Sequence, residues 1–234
     1  MHDTLALILK ISVIIPANNE EQSIAKVIAE IPTFVDQIIV CDNNSTDNTA
    51  FIAKKAGALV VHQPKRGYGN ACLKGLEAIA NQILKPDVVV FLDGDYSDYP
   101  HQMCLLIEKI NAGYDFVIGS RALGIREKGS MTRPQIFGNW FATLLMRILY
   151  NARYTDLGPF RAIKYQCLLD MAMKDTNYGW TIEMQLKALH LKLKYAEVPV
   201  DYKNRIGISK ISGTIKGVIG AAYKIITLIF KYRK

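Results

Sequence analysis

A chain of 234 residues, half of them apolar and with ordinary numbers of glycine and proline, is long enough for one large domain with its own core. The sequence has no internal repeat and no low-complexity tract, which excludes repeat and disordered classes of protein. The formal net charge is +8, and from Lys203 onward there are eight cations and no Asp or Glu. A localised basic tail indicates an anionic partner: a phosphate, a membrane surface or a nucleic acid.

The cysteines and the apolar runs give expectations about location. The four cysteines are far apart and form no C-x-x-C pair, so we predict reduced core residues of a cytosolic protein. The apolar run at residues 5–15 is short and interrupted by Lys10, which favours a first strand over a signal peptide. No stretch reaches the roughly 18 to 20 apolar residues that a spanning helix needs. We therefore expect contact with a membrane, if any, without a crossing.

Short apolar runs alternate with segments of helical periodicity along the first half of the chain. The runs predict strands at residues 11–15 (ended by Pro16), 37–41, 58–61, 88–92 and 115–119, of which the first and the fourth are expected to be buried. The intervening segments predict four helices: one ending near residue 30, one starting near residue 47, one ending near residue 82, and one over residues 100–112. Strand and helix repeated at this spacing predict an α/β fold with a parallel, doubly wound sheet.

The strand at residues 88–92 ends in an acidic cluster, Asp93, Asp95 and Asp98, at the sheet edge where such folds bind ligands. Close carboxylates repel one another unless a cation lies between them, and hard oxygen ligands suit Mg²⁺ or Mn²⁺. Gly94 is expected to let the backbone turn so that its two neighbours face one site. An acidic solvated turn is the alternative, but the wholly apolar strand before the cluster favours a metal site.

Two further strand ends have polar or glycine-rich sequences. Asp42 directly follows the second strand, where a carboxylate can accept a ribose hydroxyl or a base N–H. Thr46 and Asp47 are better explained as caps of the next helix. The loop from Lys65 through Gly67 precedes a helix and predicts an anion-facing loop, although a simple turn needs the same glycines.

The second half of the chain begins with a long loop, residues 121–133, that contains Arg121, Arg126, Lys128 and Arg133 and is typical of a functional lid. The helix predicted at residues 134–150 is apolar nearly all round. It is either a fully buried core helix or the lipid-facing wall of a groove.

The remaining segments predict a short strand near residue 161, a helix ending near residue 191 and a last strand at residues 194–200. Glu183 lies in the first turn of that helix, where the helix dipole favours negative charge. A final helix at residues 213–231 is amphipathic and basic. It fits either a helix on an anionic bilayer or one packed on the sheet with its lysines in water.

Together, these segments resemble a known family. Residues 16–21 (PANNEE), 42–47 (DNNSTD), 67–71 (GYGNA) and 93–95 (DGD) resemble, in order, a family 2 glycosyltransferase with the nucleotide-diphosphosugar A-type fold. Ser120-Arg121, Asp156, residues 160–162 (FRA), Glu183 and residues 205–210 (RIGISK) are similar to its dolichol-phosphate mannosyltransferase-like branch. The resemblance covers about residues 11–212. It implies a single catalytic domain at residues 1–212, with a mainly parallel central sheet flanked by helices, followed by a basic helix at residues 213–234.

The resemblance also implies roles for individual residues. The nucleotide pocket would be lined by Pro16, Asn18, Glu20 and Asp42. Asp93 and Asp95 would hold Mg²⁺ or Mn²⁺ and the diphosphate, with Arg205 and Lys210 on the donor phosphates. Arg121 and Arg133 would hold an acceptor phosphate. The chain departs from the family pattern at Ala17-Asn18, at Asn43 and at Ser97-Asp98, which leaves the base preference and a third metal ligand open.

The chemistry implied by the family is inversion at the anomeric carbon by direct displacement. A sugar hydroxyl acceptor needs a general base, whereas a phosphate monoester, with a second pKa of about 6, is already ionised. An arginine-rich loop without an evident histidine base therefore favours a lipid phosphate. We predict transfer of one sugar from a nucleotide-diphosphate sugar to a polyprenyl or dolichyl phosphate, by a cytoplasmic protein peripheral to the cytosolic membrane face.

Three alternatives are weighed against this prediction. The same fold can transfer sugar to a hydroxyl of a soluble or cell-surface polysaccharide precursor, with Asp98 or Glu183 as the base. A non-catalytic nucleotide or nucleic-acid binder is disfavoured, because the basic tail lacks regular aromatic residues for base stacking. A dehydrogenase is disfavoured because no G-x-G-x-x-G follows the first strand. Donor base, donor sugar and oligomeric state stay open.

Overall fold

A seven-stranded sheet lies at the centre of the protein in a computed structural model that describes residues 9–207 and 215–233. The strands are β1 Ile11–Ala17, β2 Gln37–Asp42, β3 Leu59–His62, β4 Val88–Phe91, β5 Phe116–Ser120, β6 Arg161–Lys164 and β7 Tyr195–Pro199. The α-helices are α1 Ile24–Ala29, α2 Thr49–Lys55, α3 Tyr68–Ala80, α4 Met103–Asn111, α5 Arg133–Tyr150, α6 Tyr165–Met171, α7 Trp180–His190 and α8 Ile215–Lys231. A 3-10 turn, Pro100–Gln102, precedes α4.

The strand order is β3-β2-β1-β4-β6-β5-β7, and every neighbouring pair is parallel except the two that involve β6. The predicted α/β fold with a mainly parallel sheet is confirmed. The one strand that departs from the parallel arrangement of the described sheet is β6. The chain returns to the sheet beside the end of β5, where Gly119 N donates to Phe160 O at 2.9 Å. From that edge β6 runs back, antiparallel to both neighbours.

Both faces of the sheet are covered, as continuous apolar strands require. Ile14, Val89 and Phe91 point into a core shared with α3, α5, α7 and α8. Val13 and Val90 point into the opposite core, shared with α1 and α4. All five side chains are fully buried, and burial of each is worth about 1.5 to 3 kcal/mol. The acidic sequence that follows β4 is therefore anchored by a strand whose four residues are all fully buried.

β1 does not end at Pro16, as predicted, but continues to Ala17. Pairing of β1 with β4 stops at Ile14 and Phe91, so Pro16 has a strand partner only on the β2 side. Proline has no N–H to donate to a neighbouring strand, and on the β4 side Pro16 has no strand partner that would need one. The helix α6 was not predicted, because a helix of only seven residues directly after a strand has too little periodicity to be detected.

Of the two alternatives predicted for α5, the fully buried core helix is wrong. A capping box between Thr132 and Gln135 fixes its start. Only one face, with Ala142, Thr143 and Met146, is buried in the core. Its first two turns expose large apolar side chains, among them Phe137 and Trp140, which are 63% and 55% exposed.

The final helix α8 packs on α5 and α7 and buries Leu228 and Ile229, while Ile226 and Phe230 face outward. Among the described residues its main packing partners are therefore helices, and part of its apolar surface is exposed. Within the two described ranges, no helix has the length and apolar character needed to span a bilayer. The predicted division of the chain at residues 212 and 213 falls in an undescribed segment and stays a prediction.

Candidate active site

A cavity of about 350 Å³ lies at the carboxyl ends of β1 and β4. Because parallel strands end at the same edge of a sheet, residues far apart in the sequence meet there. Seven of the predicted site residues line this cavity: Pro16, Asn18, Glu20, Gly67, Asp93, Asp95 and Arg205. We call it the donor-side cavity, because the resemblance implies a role in binding the sugar donor for most of these residues. Asp42, Lys65, Arg121, Arg133 and Glu183 do not line it, and Lys210 lies outside the described residues.

Asp95 is buried and held from both sides. Its Oδ1 accepts hydrogen bonds from Ser97 N at 3.0 Å and Ser97 Oγ at 2.5 Å, and its Oδ2 forms an ion pair with Arg205 Nη1 at 2.7 Å. In the turn that contains these acids, Tyr96 has a left-handed backbone with φ of 62°, whereas Gly94 does not. The Asp95 carboxylate is thus held in one orientation, with the guanidinium of Arg205 beside Oδ2.

Asp93 has fewer polar partners than Asp95. Its Oδ1 is buried and has no hydrogen-bond partner within the described residues. Burial, and next the charge of Asp95, raises the pKa of Asp93 to about 7, although Arg205, Tyr68 and Arg121 act in the opposite direction. A buried, unpartnered carboxylate oxygen beside a second carboxylate is an electrostatic environment that a divalent cation would relieve.

The loop at Lys65–Gly67 is held by Asn43. The Asn43 side-chain amide donates to Gln63 O at 3.1 Å and Lys65 O at 2.7 Å, while its Oδ1 accepts from Gly67 N at 2.8 Å. Of this loop, Arg66 and Gly67 reach the cavity. A Cβ on Gly67 would collide with the carbonyl of Thr176, so this glycine is required by close backbone packing.

Asp42 is turned away from the cavity. Its Oδ2 lies 3.0 Å from His62 Nδ1 at the end of β3, and its Oδ1 accepts from Ser45 N at 3.2 Å. The side chain is buried in these contacts. Its proposed contact with a ribose or base stays a prediction that requires this pairing to open.

The two arginines predicted for an acceptor phosphate have different surroundings. The backbone N and Nε of Arg121 donate to Asp156 Oδ2 at 2.7 and 2.8 Å, and its Nη2 donates to Oδ1 at 2.7 Å. Its guanidinium also lies over the Tyr202 ring, 5.0 Å from the centroid. Arg133, in contrast, is exposed at the first position of α5. Arg121 is therefore committed to Asp156 in this structure, and Arg133 is accessible.

A second cavity of about 250 Å³ lies between the loop after β5 and α5. Its lining combines two cations, Arg126 and Arg147, with the Trp140 ring and with Asp156. A chain of contacts joins it to the donor-side cavity: Asp156 holds Arg121, Arg121 lies on Tyr202, and Arg205 Nη2 donates to the Tyr202 hydroxyl at 3.4 Å. The two cavities are therefore linked through Arg121 and Tyr202.

Comparison with known proteins identifies the family of this chain. The model of glycosyl transferase family 2 matches residues 12–169, well over half of the sequence. The chain belongs to glycosyl transferase family 2. This confirms the predicted resemblance and the prediction of an enzyme of the glycosyltransferase class.

The relatives of this transferase span most of its length. A dolichyl-phosphate hexose transferase of Haloferax volcanii is 32% identical, and the match covers 86% of each chain. An uncharacterised glycosyltransferase of Mycobacterium bovis is also 32% identical, with 89% of this chain and 93% of the relative covered. An undecaprenyl-phosphate mannosyltransferase of Micrococcus luteus is 28% identical over 92% of this chain and 91% of its own. The similarity thus extends to the polyprenyl-phosphate branch.

Solved structures confirm the A-type fold. Glucosyl-3-phosphoglycerate synthase of Mycobacterium tuberculosis, in complex with Mn²⁺, UDP and phosphoglyceric acid, superimposes with a TM-score of 0.76 at 22% identity. The match covers 96% of this chain and 78% of the synthase. At this level of identity the likeness establishes the fold of the transferase.

The residues of the transferase fit a divalent cation with two protein ligands. No cluster of three His, Cys, Asp or Glu side chains suited to a metal occurs in the described part of the chain. Asp98 is buried, and burial raises its pKa, but it does not line the cavity. Mg²⁺ and similar ions are commonly held by one or two carboxylates together with substrate phosphates. Asp93 and Asp95 match that pattern, and the remaining ligands would come from the donor and water.

Replacing Asp93 with Asn is expected to stabilise the metal-free transferase at neutral and higher pH. The pKa of Asp93 rises from 3.8 to about 7 on folding, so its contribution to stability is complete below pH 4 and is lost as the pH rises to 7. The Asn side chain does not ionise, so the variant does not lose stability in this way as the pH rises. Its free energy of unfolding should exceed that of the wild type by about 1 to 3 kcal/mol at pH 8.

Thermal unfolding between pH 5 and pH 8 in the presence of EDTA measures this effect. The difference in Tm should grow over this range and level off above pH 7. Asp170→Asn, a change at an exposed acid on α6, is the matched control and should show no such trend. If Asp93→Asn were less stable than the wild type at pH 8, burial of the ionised Asp93 carboxylate would not be what destabilises the protein.

Several residues at the two cavities were missed in the sequence. Asn177 and Tyr178 line the donor-side cavity just before α7, and Arg147 lines the second cavity from within α5. Arg66 could have been predicted to line the donor-side cavity, because it adjoins Gly67 in the predicted anion-facing loop. Glu183 was predicted for the site but is buried outside the cavity lining, where it accepts from the backbone N of Lys174 and Asp175; helix periodicity alone does not reveal this location.

Proposed function

We propose that this transferase moves one sugar from a nucleotide-diphosphate sugar to the phosphate of a polyprenyl or dolichyl lipid, with Mg²⁺ or Mn²⁺ at Asp93 and Asp95. The main supporting observation is the position of an arginine-lined, partly apolar cavity beside the acidic cavity. The first matches a lipid phosphate and the second a metal-bound diphosphate.

Binding of a metal and a nucleotide-diphosphate sugar in the donor-side cavity is supported by the charged side chains that line it. Asp93 Oδ1 has no described partner, and Asp95 already binds a cationic group in Arg205. The bound ion would stabilise the charge that develops on the departing diphosphate. Arg205 and Arg66 add two cations to the same cavity. The synthase of similar fold binds Mn²⁺ with UDP, which supports a divalent ion for this fold.

The acceptor half is supported by the second cavity. Arg126 and Arg147 supply the paired guanidinium groups that bind a phosphate well, and Trp140 and Ile136 supply apolar surface for the first isoprene units. A phosphate monoester is ionised near neutral pH and attacks without a general base. Two relatives named as dolichyl-phosphate and undecaprenyl-phosphate transferases support the same acceptor class.

The structure argues against the two candidate bases for a hydroxyl acceptor. Glu183 accepts from two backbone amides and the Tyr232 hydroxyl and pairs with Lys187 at 2.8 Å. Asp98 lines neither cavity. His101 is exposed and lies 4.0 Å from Glu30, away from the acidic pair. A phosphate acceptor, which requires no base, is therefore the better fit.

Contact with a membrane is proposed for the start of α5. The Phe137 ring lies 5.7 Å from that of Trp140 and is stacked on that of Phe141 at 6.1 Å, and the first two rings are largely exposed. Arg133 and Arg147 are exposed on the same helix. Aromatic side chains partition to the membrane–water interface, and cations are attracted by anionic lipid. The transferase would thus be peripheral at the cytosolic face, with the second cavity beside the lipid.

A two-stage experiment tests the proposal. UDP-, GDP- and TDP-sugars are first screened for thermal stabilisation of the protein, with Mn²⁺ and with EDTA. The stabilising donor is then assayed for sugar transfer to a short polyprenyl phosphate. We expect metal-dependent stabilisation and transfer to the lipid. No stabilisation by any of these donors would refute the donor site. Transfer to a soluble hydroxyl acceptor, and none to polyprenyl phosphate, would refute the acceptor.

Replacing Arg147 with Met is expected to raise KM for polyprenyl phosphate about tenfold or more, since a charge-assisted hydrogen bond contributes about 1.5 to 3 kcal/mol. The KM for the donor should be unchanged. Arg133→Ala, on the same helix, tests the arginine predicted for this role from the sequence. Arg153→Met, at an exposed arginine outside both cavities, is the control. Equal losses for donor and acceptor would place Arg147 outside the acceptor site.

A further inference from the structure

The helix α8 packs behind the wall of the donor-side cavity. This wall is the segment of residues 174–179, from which Asn177 and Tyr178 line the cavity. Gly179 and Gly220 allow the close approach: a Cβ on Gly179 would collide with the Leu228 side chain, and one on Gly220 would lie 3.3 Å from the Tyr178 ring. The inner face of α8 therefore contacts the wall directly.

The first polar link between α8 and the wall is made by Lys224. Its Nζ pairs with Asp175 Oδ2 at 2.9 Å, and the Asp175 side chain is only 2% exposed. The other oxygen, Oδ1, accepts from Asn177 N at 2.8 Å and Gly179 N at 2.9 Å. One carboxylate thus joins a lysine of α8 to the backbone amides on either side of Tyr178.

The second polar link is made by Tyr232, just beyond α8. Its hydroxyl donates to Glu183 Oε1 at 3.1 Å. Glu183 Oε2 in turn accepts from Asp175 N at 2.7 Å, and both oxygens lie 3.2 Å from Lys174 N. Burial, and next the charge of Glu183, raises the pKa of Tyr232 to about 12. Both links therefore end on backbone amides of the same short segment.

The opposite side of the wall is fixed by the glycine loop. Asn70 N donates to Thr176 O at 2.9 Å, and a side chain on Gly67 or Gly69 would collide with the carbonyl of Thr176 or Asp175. The wall is held between this loop and α8. A small displacement of α8 therefore changes the positions of Asn177 and Tyr178 relative to Gly67, across the space where a nucleotide would lie.

We propose that α8 is a positioning element of the donor site, and that Lys224 and Tyr232 act through Asp175 and Glu183 to hold Asn177 and Tyr178 in a nucleotide-binding position. This inference rests on the proposed donor site. It assigns Glu183 a positioning role and not that of a base. It also makes the C-terminal helix a determinant of donor affinity, in addition to any contact with lipid.

The test measures nucleotide binding by the full-length protein in the absence of lipid. UDP, GDP and TDP are titrated with Mn²⁺ into the wild type, and the tightest binder is then used for the variants Lys224→Met and Tyr232→Phe. We expect the dissociation constant to rise about tenfold for Lys224→Met, within the range typical of coupling between sites, and in the same direction for Tyr232→Phe. Lys224→Arg, which keeps the cation, should restore most of the affinity.

Two matched variants on the outer side of α8, Lys231→Met and Tyr223→Phe, remove the same groups from exposed positions. They should bind nucleotide as the wild type does. Hydrogen exchange gives a second readout: the Asn177 and Gly179 amides should exchange faster in Lys224→Met and not in Lys231→Met. This readout separates loss of position from loss of folding, which would accelerate exchange throughout.

The outcomes distinguish this inference from the proposed function. Unchanged nucleotide affinity in both inner-face variants would overturn the positioning role and leave the donor site intact. A lower Tm with unchanged affinity of the folded protein would also overturn it, since α8 would then be structural only. Failure of the wild type to bind any of the three nucleotides would overturn the proposed donor site and this inference with it.

Discussion

Replacing Asp95 with Asn is expected to lower the rate of sugar transfer about a thousandfold while leaving the protein folded. The Asp95 carboxylate is the group that faces the cavity with one oxygen fixed by Ser97 and the other directed toward a cation. An amide of the same shape keeps the hydrogen bonds from Ser97 and loses the charge that would bind a metal. Transfer to polyprenyl phosphate at saturating donor is the measurement, with Mn²⁺-dependent stabilisation by nucleotide as the second.

Asp170→Asn serves as the matched control here too, since it removes one exposed carboxylate far from the acidic pair in the sequence. It should transfer sugar as the wild type does. The Tm of Asp95→Asn should stay within a few degrees of the wild-type value, because the lost ion pair with Arg205 is partly exposed to solvent. An Asp95→Asn variant that keeps more than about a tenth of the wild-type rate would refute a metal at this position.

Replacing Arg205 with Met is expected to lower the transfer rate about a hundredfold to a thousandfold, the usual effect of removing one group that stabilises developing negative charge. In this structure Arg205 pairs with Asp95 at 2.7 Å and reaches the Tyr202 hydroxyl at 3.4 Å. A metal at Asp95 would compete with the guanidinium for the same oxygen. We therefore expect Arg205 to turn from Asp95 to the donor diphosphate when the metal and the donor bind.

Because the guanidinium and the metal would compete for Asp95, Arg205→Met should also have a second effect, a gain in metal affinity. Without the guanidinium, Asp95 Oδ2 is free, so Mn²⁺ should bind the nucleotide-free variant more tightly than it binds the wild type. Titration of Mn²⁺ without nucleotide measures this, and Arg153→Met, which removes an exposed arginine, should change neither metal affinity nor rate. Wild-type transfer by Arg205→Met would remove this residue from the donor site. Weaker metal binding would contradict the competition between guanidinium and metal.

The predictions for Asp93 and Asp95 have one physical basis: in the metal-free protein, the proposed metal ligands are two acids close together, and one of them is destabilised by burial. Burial raises the pKa of Asp93 to about 7, so the free protein is destabilised by the group that the proposed reaction needs. Sites of this kind commonly lower stability in exchange for function. Asp93→Asn should therefore give a protein that is more stable and less active, whereas Asp95→Asn should mainly lose activity.

The sequence alone determined the fold class and the position of the donor-side cavity. Short, largely apolar runs separated by helical periodicity predict parallel strands, and the polar residues that follow such strands meet at one sheet edge. Asn18, Gly67 and Asp93 were placed correctly at the cavity for this reason. These signals are local: each lies within a few residues of the end of a strand.

Only the tertiary structure decided which charged groups face a ligand and which face one another. Arg121 is held by Asp156, Arg205 by Asp95, and Lys224 by Asp175. The direction of β6 and the contact of α8 with the donor-side wall were likewise settled by packing. The physical reason is that periodicity and turn chemistry act between near neighbours in the chain. An ion pair instead depends on the distance between side chains that the sequence separates and only the folded sheet and helices bring together.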